Sequence, residues 1–279
     1  MLVNLNDVLP QAQKEHYGVG LFNTINLEMA QGVLAAAQET GSPVIIGTAE
    51  VLLNCSSLFE LSGMLLPLAK KAEVPVVLHF DHGLTEEKVK EAIDCGFTSV
   101  MYDCSTLSFE ENIAAVAKMV EYAHARGVTV EGELGHVGSN ANAADESIYT
   151  DPDKAAEFAR RTGVDALAVA IGTAHGTYHS KPKLALDVLE RIAAAVEVPL
   201  VLHGGSGLSD EDFKACIARG IAKVNIFTDL NIAAEKAAYD GYREGLGYSK
   251  VMPSVTAAVH DAALKKMTVF ESGRYKEIL

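Results

Sequence analysis

"VPVVLHFDHG" occupies residues 74–83, and "VPLVLHGGSG" repeats most of it at residues 198–207. Each begins with Val-Pro, runs through continuous apolar residues, and reaches a histidine and then a glycine. A run that is apolar at every position is a strand buried on both faces, which is the habit of parallel sheets covered by helices. Similar runs lie on either side of these two: "GVGLFNT", "SPVIIGT", "TSVMYD", "VTVEGELG", "DALAVAIGT" and "AKVNIFT", eight in all. Between them, stretches such as "LEMAQGVLAAAQETG" and "FEENIAAVAKMVEYAHARG" space their apolar residues three and four apart, as amphipathic helices do. Gly41, Gly96, Gly127, Gly163 and Gly220 stand where such helices end, positions suited to a left-handed turn. Eight strand–helix units in a chain of 279 residues predict an α/β fold, a single (β/α)8 TIM barrel. One domain over residues 1–279 is expected, with an extra C-terminal helix from Lys250 onward that packs on the barrel or on a partner subunit.

Composition narrows the function. The formal net charge is −14 and no Lys/Arg cluster exceeds a pair, which argues against a nucleic-acid backbone as partner. An anionic small molecule would need local help from backbone amides, a metal or a few placed lysines. Cys55, Cys95, Cys104 and Cys216 show no CxxC spacing, so reduced thiols are expected. The N-terminus lacks the basic region and apolar core of a signal peptide, and no apolar run approaches the roughly 20 residues that span a bilayer. A cytoplasmic protein with no membrane partner is the expectation.

Barrels place their chemistry at the C-terminal ends of their strands. Here those ends carry His79, Asp81 and His82; Asp103; Glu131 and Glu133; Thr173 and His175; and His203. Four of the nine histidines fall at these few positions. Three histidines from different strands, beside carboxylates, suit an open zinc site whose remaining position takes substrate. The plainer alternative is that each histidine satisfies a neighbour by hydrogen bonding. "HGGSG" at 203–207 and "VNIFTD" at 224–229 close the seventh and eighth runs, where barrels often bind phosphate through backbone N–H groups.

"HFDHG", "EGELG", "GTAHG", "HGGSG" and "KVNIFTD", in that order, closely resemble the class II metal-dependent aldolases, which include fructose-bisphosphate and tagatose-bisphosphate aldolases. The resemblance covers essentially the whole chain. It implies a zinc enzyme that reversibly cleaves a ketose 1,6-bisphosphate, of fructose or tagatose type, into dihydroxyacetone phosphate and glyceraldehyde 3-phosphate. It implies a homodimer or homotetramer, and further cations: a second divalent ion, and Na+ or K+ near the phosphate loops. Carried onto this sequence, it assigns zinc to His82, His175 and His203, and a second metal position to Asp103 and Glu133. Asp81 becomes the group that exchanges a proton with the aldehyde oxygen. Substrate contacts fall on Gly176, Gly204, Gly205, Ser206, Asn225, Ile226, Phe227 and Thr228, with Asn23 and Lys181 beside them. His79 is left as a packing or supporting residue.

Two stretches depart from the family pattern. Where relatives carry "GGxED" after the fifth strand, this chain reads "GSNANAADE", which puts Ala141 or a near neighbour at the usual glutamate and leaves Asp145 or Glu146 as substitutes. Where relatives carry "DPR" before the last helix, it reads "LGYSKVMPS", with Lys250 in place of an arginine fork. His136, Asn140, Asn142, His179 or Lys181 could instead suit another anionic aldehyde. The alternatives are therefore a 6-deoxy-6-sulfofructose 1-phosphate or a deoxy-keto-gluconate phosphate and, from another class, a non-catalytic stabilising subunit of an aldolase complex.

Overall fold

Each apolar run of the sequence becomes one strand, and one further strand precedes them. The computed structural model describes residues 1–135, 149–176 and 182–278. It begins with a two-residue strand, β1 (Leu2–Val3), and a short helix, α1 (Leu9–Glu15). Eight strand–helix units follow: β2 (Val19–Asn23) and α2 (Leu27–Thr40), β3 (Val44–Ala49) and α3 (Leu58–Lys71), β4 (Val76–Gly83) and α4 (Glu86–Asp94), β5 (Ser99–Tyr102) and α5 (Phe109–His124). The second half is β6 (Thr129–Leu134) and α6 (Pro152–Thr162), β7 (Ala166–Val169) and α7 (Leu186–Ala195), β8 (Leu200–Leu202) and α8 (Asp210–Ile217), β9 (Ile221–Ile226) and α9 (Thr228–Arg243). Strands β2 to β9 pair in parallel with their neighbours, and β9 returns to β2, closing the barrel. The predicted TIM barrel is what forms. Strand β1 was not foreseen; it lies outside the ring and pairs with the first residues of β4, Leu2 opposite Val76.

Alternation along the strands sorts side chains into two cores. Phe22, Val44, Ile46, Val76, Leu78, Val100 and Val130 face outward into the layer beneath the helices. Val19, Leu21, Ile45, Val77, Ala166, Ala168, Val201 and Ala222 belong to a second cluster inside the barrel, joined by Leu5, Val8, Leu9 and Ala12 from the N-terminal segment. The lower half of the barrel is therefore a sealed apolar plug. Polar residues accumulate higher up the same inward rows, as His79, Asp81, Ser99, Glu131, Glu133, Lys223 and Asn225, all buried.

Helix ends follow the sequence signals. Gly41 and Gly163 cap α2 and α6 with φ of 67° and 72°, the left-handed conformation glycine adopts at little cost. Capping boxes start α3, α5 and α8 at Ser57, Ser108 and Ser209. The extra helix, α10 (Tyr248–Val269), packs on the barrel through α2 and α9, and α11 (Arg274–Ile278) ends the chain's helices. Close approach of α2 and α10 requires Gly32, where a Cβ would lie 2.7 Å from the Thr256 carbonyl oxygen. All four cysteines are unbridged. Among the described residues, no helix is long and apolar enough to cross a membrane.

Candidate active site

Strand β4 supplies two adjacent side chains to one cleft, which a regular strand cannot do because successive residues point to opposite faces. The pairing of β4 with β5 shifts register between Phe80 and Gly83, and His82 sits at φ 42°. This irregularity turns Asp81 and His82 toward the same space, and a left-handed histidine is the kind of strain found at functional positions.

His82 meets two further histidines there. One ring nitrogen from each of His82, His175 and His203 lies within 4.8 Å of the others. His82 Nε2 and His203 Nδ1 face each other at 2.7 Å, while their second nitrogens contact carboxylates: His82 Nδ1 to Asp103 Oδ2 at 2.9 Å and His203 Nε2 to Glu131 Oε1 at 2.8 Å. An imidazole whose outer N–H is given to a carboxylate turns a lone pair inward. Two such lone pairs at hydrogen-bond distance require a proton or a cation between them, so the donor set fits a divalent metal. Burial disfavours charge on His82, but Asp81, Asp103 and Glu133 outweigh it and push its pKa up to about 9. His82, Asp103 and Glu133 form an overlapping group whose ligand atoms lie within 4.8 Å of one another.

Asp81 is 3% exposed and is held from two sides. Asn23 Nδ2 donates to its Oδ2 at 2.8 Å, and Asn225 Nδ2 donates to its Oδ1 at 3.0 Å. Burial favours the neutral acid, but His82, His203 and Lys223 outweigh it and hold the carboxyl well below the usual carboxylate range. Asp81 is therefore held as the carboxylate.

Beneath this layer lies a pair that sequence reading left without a role. Lys223 and Glu131 are both fully buried, with Nζ 2.8 Å from Oε2, and the same Nζ donates to Asn225 Oδ1 at 2.8 Å. Burial raises a carboxyl pKa, yet Lys223 and His203 bring Glu131 down to about 2. One lysine therefore steadies both the carboxylate behind His203 and the asparagine beside Asp81. The visible signal was a lone lysine in an otherwise apolar run. His79 lies in the same layer, with Nδ1 2.7 Å from Ser99 Oγ, and burial lowers its pKa to about 3, leaving the ring neutral.

The cleft above has a volume of about 440 Å³. Of the predicted residues, Asn23, Asp81, His82, Asp103, His175, Gly176, Gly204, Gly205, Ser206, Asn225, Ile226, Phe227 and Thr228 line it. His203 and Glu133 are buried behind that lining. Gly204 has φ 65°, and a Cβ there would come 2.4 Å from the Ala174 carbonyl oxygen, so the turn after β8 can pass only as glycine. Ser206 Oγ accepts from the N–H groups of Phe227 and Asp229, tying this turn to the start of α9. Lys181 lies outside the described residues, as do His136, Asn140, Ala141, Asn142, Asp145, Glu146 and His179. Lys250 is exposed on α10 and is not part of the lining. Ala49, Val51, Leu52 and Leu84 do line the cleft and were not foreseen.

Residues 3–274 match the family model described as fructose-bisphosphate aldolase class-II. The chain belongs to the class II fructose-bisphosphate aldolase family. It is 44% identical over 276 residues to the uncharacterized protein YdjI of Escherichia coli K12, covering 98% of each chain. The crystal structure of the YdjI aldolase from Escherichia coli K12 superposes with a TM-score of 0.90 at 42% identity, again over 98% of both chains. A fructose-bisphosphate aldolase of Staphylococcus aureus is 44% identical over 246 residues, 86% of this chain and 85% of that protein. A putative fructose-1,6-biphosphate aldolase from Coccidioides immitis has a TM-score of 0.91 at 30% identity, with 99% of each chain covered. As a class II aldolase the chain is a lyase; its family is typically metal-dependent and acts on phosphorylated sugars, and its histidine cluster can hold a metal.

Proposed function

We propose that this class II aldolase cleaves a ketose bearing a phosphate on C1 into dihydroxyacetone phosphate and an aldehyde, and runs the reverse condensation. The supporting observation is the convergence of His82, His175 and His203 beside an ionised Asp81 at one mouth of the barrel. His82, His175 and His203 would hold the catalytic divalent ion, zinc by family likeness. Asp103 and Glu133 stand beside His82 as the second position. The bound ion would supply Lewis acidity that stabilises charge developing on the ketone side of the substrate.

The chain's own groups account for the remaining work. In cleavage, Asp81 takes the proton from the C4 hydroxyl, the C3–C4 bond breaks, and the C4 oxygen becomes the aldehyde carbonyl. The electron pair of the broken bond passes to C3, which then takes a proton from water to complete dihydroxyacetone phosphate, while Asp81 gives up the C4 proton to water. In condensation, Asp81 returns its proton to the new hydroxyl. Asn23 and Asn225 fix both oxygens of the Asp81 carboxylate, so its reach is set before substrate arrives. The C1 phosphate is assigned to Gly176, Gly204, Gly205, Ser206 and residues 225–228, with the N-terminal end of α9, which lacks a side-chain cap of its own, among the donors.

Fructose- and tagatose-type 1,6-bisphosphates are the reference substrates, because relatives bear the name fructose-bisphosphate aldolase. A 6-deoxy-6-sulfofructose 1-phosphate and a deoxy-keto-gluconate phosphate complete the panel. A homodimer or homotetramer, the second divalent ion, Na+ or K+, and a cytoplasmic location belong to the same family-based reading. Release of dihydroxyacetone phosphate from this panel, by purified chain with zinc, tests the proposal. At least one substrate is expected to be cleaved and chelation to abolish the activity; no release from any substrate would favour the non-catalytic subunit.

A further inference from the structure

Past Asp81 and His82 the cleft runs onto an apolar lip made of Ala49, Val51, Leu52 and Leu84. Two of these are large apolar residues left in water: Val51 is 68% exposed and Leu84 is 51% exposed. The lip comes from the segments that follow two neighbouring strands, β3 and β4, and one side chain locks them together. Glu50 Oε2 accepts from the N–H groups of Leu84 and Thr85 at 2.7 and 3.2 Å, and its Oε1 accepts from Thr85 Oγ1 at 3.1 Å. Val51, Leu52 and Leu84 are thus presented as one preset surface.

Apart from His82 and the ion it would hold, the described charges beside that surface have the wrong sign for an anion. Asp81, Asp103 and the clamping Glu50 are all carboxylates, and no described lysine or arginine lines the cleft. A phosphate brought onto the lip would be stripped of water without a paired cation, which is costly. An uncharged hydrocarbon end would be favoured by removal of its surface, and that of Val51 and Leu84, from water.

We infer that Val51, Leu52 and Leu84 form the subsite for the far end of the aldehyde fragment and select an uncharged, methyl-terminated aldehyde. The preferred substrate class is then a 6-deoxy-ketose 1-phosphate, ahead of the 1,6-bisphosphates. This inference rests on the cleavage reading given above. Glu50 acts as a positioning residue, through the two loops it joins.

The test compares kcat/KM for 6-deoxy-hexulose 1-phosphates and hexulose 1,6-bisphosphates of both C4 configurations, followed by release of dihydroxyacetone phosphate from the zinc-loaded chain. The native protein is expected to favour the deoxy substrate by about ten-fold or more, the scale at which apolar pockets discriminate. Val51→Lys and Leu84→Gln are expected to lower that ratio by roughly ten-fold, chiefly through KM. Both positions are exposed, so folding is not what these variants report. Glu50→Ala is expected to lower the same ratio through the KM of the deoxy substrate with kcat held. A native preference for the bisphosphate, or a ratio unmoved by the two lip variants, overturns the inference and leaves the cleavage reading intact. No release from any of these substrates overturns both.

Discussion

In the proposed mechanism, Asp81 carries the step that separates catalyst from binder. Its carboxylate is ionised and held by two asparagines, and it is not one of the three histidines that would bind metal. Asp81→Ala is expected to keep the metal while cleavage falls by about 10²–10⁴-fold, the range for a lost general acid–base group. Metal analysis beside turnover separates these effects, and unchanged turnover would remove Asp81 from the mechanism. Lys223 and Glu131 make a second prediction. Lys223→Met leaves the buried Glu131 carboxylate with His203 alone and is expected to cost about 3–5 kcal/mol in a denaturant titration. Glu131→Gln with Lys223→Met should recover much of that stability, yet weaken metal binding by about 10–100-fold because His203 has lost its carboxylate partner. Competition with a chelator reads that affinity; an unchanged value would mean Glu131 does not orient His203. That Asp81, His82, His175 and His203 meet at one mouth of the barrel was legible from their places at strand ends, while the parts assigned to them come from the family resemblance. The Lys223–Glu131 pair was not, since it depends on side chains of two non-adjacent strands meeting inside the ring.

Helices α2 and α10 pack against each other on the outside of the barrel, and an ionic contact spans them. His260 on α10 lies 3.0 Å from Glu39 on α2 and 2.9 Å from its neighbour Asp261. The Asp261 bond, with Glu39 added and burial opposing, raises the His260 pKa above 6.5. A raised pKa means that the folded state binds the proton more tightly than the unfolded chain does. Its stabilisation is complete below about pH 6.5 and is lost as pH rises through the folded value. Because Glu39 and Asp261 are exposed, the size is a few tenths of a kcal/mol. Thermal melts of the native chain and His260→Gln should differ at pH 5.5 and coincide at pH 9; a difference that grew with pH would contradict the assignment. At this scale the eight strands, the closing glycines and the extra helix were all legible from period and punctuation. Three features were not. Strand β1 is too short for a pattern, the turn at Asp81–His82 depends on pairing with β5, and Val51, in a single 3-10 turn, and Leu84, just after β4, are too isolated to show a period.

Across the whole molecule, the barrel divides its labour along its axis. The N-terminal segment and the lower strand residues make an apolar plug, a buried polar layer rests on it, and the cleft opens above. This order lets an acidic chain with a net charge of −14 handle a phosphorylated substrate. On the proposed reading, backbone amides of the β8 and β9 turns and a cation held by the histidines would supply local positive potential that the overall charge does not. Family membership follows from the whole chain, whereas the aldehyde depends on a few residues at one rim. The central claim is therefore best tested on the half of the reaction that needs no aldehyde. Incubation of the chain with dihydroxyacetone phosphate in deuterated water, followed by NMR, reports exchange of a hydrogen on the hydroxymethyl carbon. Exchange is predicted with the divalent metal present and is predicted to stop when the metal is removed. No exchange in the metal-loaded protein, or exchange that survives complete metal removal, would contradict it.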